Sequence, residues 1–162
     1  MAMTIKTDGL EALDRILGEL KGKAMDVAKA SLYDGAGIVA NAYAAAANSI
    51  RTEPFKGKRE KRMPSPEEKA ALVGRTGIAR FKETGEGVDT LIGITGADGY
   101  VQIGGKAKAV RLIARSINSG TSFMDKQPVF RKAKNAAQGA AKAAIVAKAE
   151  KMYDEIINGS GL

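Results

Sequence analysis

Leucine recurs at three- and four-residue steps near the start of the chain, through Leu10, Leu13, Leu17 and Leu20 with Ile16 beside them. That spacing places them on one stripe of a helix, and Asp8 stands where its carboxylate can accept from the unpaired first-turn amides. Lys21, Gly22 and Lys23 are expected to end or bend this first helix. The period resumes through Leu32, Ala36, Val39, Tyr43, Ala46 and Ile50, which predicts a second, longer helix over 24–50. Asp34, Gly35 and Gly37 interrupt it, so a kink or a close backbone approach is expected near residue 35. The alanines at 44–47 give a smooth face, suited to core packing or to a neighbouring subunit.

The apolar period then stops. Residues 51–66 carry Arg51, Lys56, Lys58, Arg59, Lys61 and Arg62 with three prolines, and Phe55 and Met63 are their only large apolar groups. Such a segment buries little and reads as an exposed, mobile basic loop. Ser65, Pro66 and Glu68 form a capping-box entrance to a short helix ending near Val73. Beyond Gly77, β-prone runs at 78–84, 88–95 and 100–104 are separated by glycine turns, as in an antiparallel meander. Gly93, Gly96 and Gly99 resemble a phosphate loop only in number; no G-K-[ST] follows, and they read as turns. Residues 106–117 suit either a last strand or a short helix, with helix preferred. A final helix from Pro128 to about Asn158, ~45 Å long at 1.5 Å per residue, carries a narrow alanine seam through Ala133, Ala137, Ala140, Ala141, Ala144 and Ala147, widened at Ile145, Met152 and Ile156. A helix of that length outruns a core of this size, so part of it is expected to pack on another subunit. The class predicted is α+β in a single domain over 1–162: two N-terminal helices, a small antiparallel β-meander, and a long C-terminal helix packed on the sheet.

Composition narrows the chemistry. The 162 residues hold no Cys and no His, which removes disulfides, thiol chemistry and the commonest general base and metal ligand. Ser116, Ser119, Thr121 and Ser122 have no such partner and read as turn and cap residues. No catalytic, cofactor or metal site is assigned. The start carries no signal-peptide pattern and no apolar run nears the ~20 residues a bilayer requires, so a soluble, unprocessed chain is expected. Lys and Arg number 26 against 18 Asp and Glu, a net +8. The excess is uneven: the first twenty residues are mildly acidic, whereas Lys106, Lys108, Arg111 and Arg115 lie in a stretch with no acid. A basic field of this kind suits polyanions, an acidic protein surface, or simply solubility.

Residues 119–133 combine a glycine turn, two hydroxyls, a proline and a phenylalanine at the entrance of the last helix, and read as a rigid elbow. Gly120 supplies the positive φ, Pro128 the first helical turn, and Phe130 an apolar anchor. The order Gly120-Thr121-Ser122, then Gln127, Pro128, Phe130, Arg131 and Ala133, resembles the C-terminal signature of the tail-completion, or head-tail joining, proteins of long-tailed bacteriophages. Gly9, Leu10, Leu13, Leu17 and Leu20 are similar to that family's opening helix. Ile117, Asn118 and Ser119 depart from it, standing where the family often has an aromatic and an acidic residue. The basic loop also interrupts a passage that resumes at Val73, Arg75, Thr76 and Gly77.

The resemblance implies a structural virion protein of the neck: a six-fold ring of identical subunits around a DNA channel, between portal or head-completion proteins and tail-terminator or tail-tube proteins, assembled in the host cytoplasm. On that reading Gly120, Thr121, Ser122, Gln127, Pro128, Phe130, Arg131, Phe55 and Met63 are the expected assembly contacts. Lys56, Lys58, Arg59, Lys61, Arg62, Lys106, Lys108, Arg111 and Arg115, with the lysines of 126–151, are candidates to face DNA or an acidic partner. The competing reading is a basic architectural protein that binds nucleic acid without sequence preference. It has no interleaved aromatics for strand stacking and no groove-reading motif.

Overall fold

The two opening helices expected from the leucine and alanine periods are one. In the computed structural model, which describes residues 8–53, 61–84, 87–96 and 99–159, helix α1 runs unbroken over Asp8–Asn48. The break expected at Lys21–Lys23 does not form. Gly22 faces open space, and a solvent-facing glycine costs a helix only about 1 kcal/mol when no proline or competing partner diverts the backbone. The close approach expected near residue 35 does occur: a Cβ on Gly35 would collide with the Ile145 side chain and lie 2.9 Å from the Ala141 carbonyl oxygen.

Ser65 caps helix α2 (Pro66–Ala70) as its motif predicts. Its hydroxyl accepts from the Glu68 amide at 3.1 Å while the Glu68 carboxylate accepts from the Ser65 amide at 3.0 Å. The β region departs from a simple meander. Strands β1 (Thr76–Ile78), β2 (Lys82–Thr84), β3 (Gly87–Asp89) and β4 (Ile92–Ile94) pair as β1 with β4 and β2 with β3, both antiparallel. Together they make one nested hairpin, joined across its interruption by the Ala79 amide donating to the Leu91 carbonyl. The third run, β5 (Tyr100–Ile103), pairs instead with β6 (Lys106–Ala109). Gly104 and Gly105, at φ +57° and +74°, make the two-residue turn whose twist suits a hairpin. The stretch preferred as one helix over 106–117 is therefore divided: Lys106–Ala109 satisfies the free edge of β5, and helix α3 starts only at Val110, ending at Ser119.

Helix α4 (Val129–Gly159) lies antiparallel along α1. Tyr43 meets Phe130 edge-on at 5.7 Å, Gly35 sits beside Ala141 and Ile145, and Asp34 reaches Lys148 at 3.9 Å. The seam is narrow because its members are small: Ala36 faces from α1, Ala137 and Ala141 from α4, with Val27 and Ile156 nearer the far end. Ala140 and Ala147, expected in the seam, are exposed. α4 is thus packed against the helix and strand layer chiefly through α1, the mixed class and long closing helix being as expected. Carried along at 1.5 Å per residue, the antiparallel pairing brings Gly159 level with about residue 20, so earlier turns of α1 have no α4 residue opposite them. Arg15, Leu17 and Gly18 are accordingly exposed. At the opposite end of α1 the main core gathers Ala46, Ala47, Ile50, Leu72, Ile103, Val110, Ile113, Ile117, Met124 and Phe130.

Candidate assembly surface at the elbow

Helix α3 stops because Gly120 takes φ +76°, a backbone state that L side chains avoid, while its amide still donates to the Ser116 carbonyl at 2.8 Å. No larger residue fits there: an added Cβ would lie 2.8 Å from Lys126 Cβ and 3.1 Å from the Lys126 amide nitrogen. The chain then closes on itself. The Thr121 amide donates to the Met124 carbonyl at 2.9 Å, and the Thr121 hydroxyl accepts from the Met124 amide at 3.0 Å. The Gln127 amide donates to the Ile117 carbonyl at 2.7 Å, which fixes the angle between α3 and α4.

Three neighbours are fastened to this corner. The Gln127 side chain, 8% exposed, accepts from the Arg51 amide at 2.9 Å and donates to the Arg51 carbonyl at 2.8 Å, clamping the chain just past α1. The Arg62 amide donates to the Phe123 carbonyl at 2.7 Å and Lys61 Nζ to the Thr121 carbonyl at 3.2 Å, which tie the end of the basic loop to the same place. The Asn118 carboxamide accepts from the Arg131 amide at 3.3 Å, joining α3 to the first turn of α4. The elbow is a junction of four segments.

These commitments change the roles read from sequence. Gln127 and Phe130 were expected at an assembly contact, but both are only 8% exposed and are used by the chain's own core and clamp. Pro128 and Met63 are half-buried, and Pro64 beside Met63 is buried. Ser122 and Arg131 are exposed, as an assembly contact requires. Phe55, Lys56, Lys58 and Arg59 lie outside the described residues, as does the side chain of Asp8, and Lys61 is tethered at its tip as above.

The basic candidates also divide. Glu68, 3% exposed, receives a bidentate pair from Arg62, at 2.6 and 2.8 Å, and a third bond from Lys108 Nζ at 2.9 Å. Arg62 holds this carboxyl down to about 2, with Lys108 and the Ser65 amide assisting and burial opposing. The capping-box glutamate is therefore also the node that joins the loop end, α2 and β6. Sequence spacing reveals the first role, since Ser65 is three residues away, and hides the second, since Lys108 is forty away. Arg62 and Lys108 spend part of their charge on it. Lys106, Arg111 and Arg115 remain exposed.

Beside this node lies a surface that the sequence reading missed. Tyr100, Leu112 and Phe123 are 70%, 55% and 60% exposed and line one shallow groove of about 390 Å³ together with Arg62, Glu68, Lys108 and Arg111. Ile113 and Met124 form its floor and connect it to the core. Leu112 was detectable in principle, because it falls off the buried stripe of α3 made by Val110, Ile113 and Ile117. Among the described residues no three His, Cys, Asp or Glu side chains converge, and no helix is long and apolar enough to cross a membrane. What the arrangement offers is a rigid corner beside an apolar patch. No protein-family model, curated protein or solved structure matches the chain.

Proposed function

We propose that the chain is a structural subunit of a phage neck, assembling as a ring of identical copies that completes the tail and joins it to the head around the DNA channel. The observation that carries the reading is the elbow. The residues that resemble the tail-completion signature, from Gly120 to Ala133, are the same ones that lock α3, α4, the end of α1 and the basic loop into one corner. A part that must hold its angle under load needs such a joint. The uncovered apolar groups at Tyr100, Leu112 and Phe123 add support, because scattered single side chains are ordinary on a monomer but a clustered apolar groove marks a contact. Its neighbours would be portal or head-completion proteins on one side and tail-terminator or tail-tube proteins on the other.

Electron microscopy of intact particles tests this: copies of this fold should form a closed ring between portal and tail. Absence of the protein from purified particles by mass spectrometry overturns the reading. Phe130→Asp is a poor probe of the joint, since it destroys the core contact with Tyr43. Phe123→Asp is the informative variant, because it leaves the core alone and should still fold while failing to join heads to tails.

A second reading, non-specific nucleic-acid binding, is favoured by the exposed Arg111, Arg115, Lys134 and Lys142. Tight binding of duplex DNA by the isolated chain at near-physiological salt supports it over the first.

A further inference from the structure

Helix α4 carries its charges in two blocks. From Val129 to Ala149 it holds Arg131, Lys132, Lys134, Lys142 and Lys148 and no acid, whereas 150–159 bring Glu150, Asp154 and Glu155 against Lys151 alone. The helix macrodipole favours the reverse order, with acids at the start and bases at the end, so helix stability does not explain the pattern.

Each block borders apolar side chains. In the basic block, Lys134, Gln138 and Lys142 stand at four-residue steps on one face and line a groove of about 400 Å³ with Tyr43, Leu91, Ile92 and Ile145. Leu91 is 75% exposed. No acid lines this groove, and among the described residues neither lysine has an ion-pair partner, whereas Lys148 reaches Asp34. In the acidic block, Val146, Tyr153 and Ile157 are exposed at seven- and four-residue steps, with Glu150 on the same stripe and Asp154 beside it. Glu155 is spanned by Lys151 at 3.9 Å, while Glu150 and Asp154 have no ion-pair partner among the described residues. At 3.6 residues per turn this stripe lies opposite the buried Ala137 and Ala141, and the groove lies to one side of it. Both surfaces belong to one helix, so no copy can seat its own helix end in its own groove.

We propose that the acidic end of α4 from one copy docks in the α4 groove of the next, Tyr153 and Ile157 against Leu91 and Ile92, with Glu150 and Asp154 beside Lys134 and Lys142. The inference rests on the ring reading above for what is assembled, and on these two surfaces for how. Helix-in-groove docking needs apolar anchors at four- and seven-residue steps, and Val146, Tyr153 and Ile157 supply them. The two carboxylates stand about 6 Å apart along their axis and the two lysines about 12 Å along theirs, a span that long lysine side chains close. Opposite charge sets orientation and rate and excludes pairing of like surfaces. Because the two patches differ, the contact is heterologous: it propagates from copy to copy and ends only when a ring closes.

The chain has no native cysteine, so engineered thiols report the contact directly. A full-length chain carrying Leu91→Cys and Tyr153→Cys should give, under mild oxidation, a ladder of covalent oligomers in denaturing gels. A control carrying Leu91→Cys and Phe123→Cys, also exposed but outside both surfaces, should show no such ladder. Reversing the groove with Lys134→Glu and Lys142→Glu, or the helix end with Glu150→Lys and Asp154→Lys, should weaken self-association about tenfold or more in sedimentation. A chain carrying all four changes should recover most of it, which a folding defect would not.

If the wild type forms rings but the 91–153 pair crosslinks no better than the control and both reversals are tolerated, the docking is overturned and the ring stands. Reversals that weaken assembly without recovery in the four-change chain overturn the docking as well. So does a wild type monomeric at high concentration, and membership of the neck is then decided by the particles alone. If the thiol of Leu91→Cys is shielded from maleimide by duplex DNA but not by added wild-type protein, the groove takes nucleic acid and the proposal fails.

Discussion

Replacing Glu68 by glutamine removes one negative charge from a node where Arg62 and Lys108 both converge, with almost no change in shape. The carboxyl titrates at about 2 in the folded chain against an ordinary 4.5. A gap of that size corresponds to about 3 kcal/mol of stability favouring the ionised form. Removing one member of a fully buried ion pair costs about 3–5 kcal/mol. Here the cations keep 42% and 37% of their side-chain surface in water and can turn outward. The expected loss for Glu68→Gln at pH 7 is therefore about 2–3 kcal/mol.

The pH dependence identifies the cause. A carboxyl whose value is lowered by folding stabilises fully above 4.5 and loses that contribution as pH falls toward 2. At pH 3 roughly 2 kcal/mol of it is gone. Urea unfolding of both proteins at pH 7, 5 and 3, followed by circular dichroism, should show a wide gap at pH 7 and 5 that shrinks to about 1 kcal/mol or less at pH 3. A gap that stays constant down to pH 3, or one below about 0.5 kcal/mol at pH 7, would falsify the view that an ionised Glu68 joins the loop, α2 and β6.

The remaining predictions concern the elbow and the helix seam. Gly120→Ala puts a side chain into a positive-φ position against Lys126 and should cost about 1–3 kcal/mol, read as a fall in melting temperature. Gly35→Ala should destabilise by about 1–3 kcal/mol by forcing α1 from Ile145 and Ala141, whereas Gly37→Ala, which faces open space two residues on, should raise stability by up to about 1 kcal/mol. The Ser31 hydroxyl is buried without a hydrogen-bond partner, so Ser31→Ala should stabilise by about 1 kcal/mol in thermal unfolding; an equal or lower melting temperature refutes this.

Local rules settled what is local. The Ser65 capping box, the glycine that ends α3 and the entrance of α4 depend on residues within one or two turns of each other, the burial of Ala36, Ala46 and Ile50 follows the helical period, and each is found where the sequence places it. The α+β class follows from the change of period after Gly77. Tertiary contacts decided the rest. Whether Gly22 and Gly35 break α1 depends on what lies beside them, and only the antiparallel α4 shows that one faces solvent and the other a neighbouring backbone. Gln127 and Phe130 were expected at an assembly contact, and nothing local reveals Arg51 or Tyr43 waiting across the fold. The groove of Tyr100, Leu112 and Phe123 joins residues from a strand, a helix and a loop, and spacing along a chain carries no information about surfaces assembled that way. Short-range hydrogen bonding is written in neighbouring residues, whereas burial is a property of whatever the folded chain brings alongside.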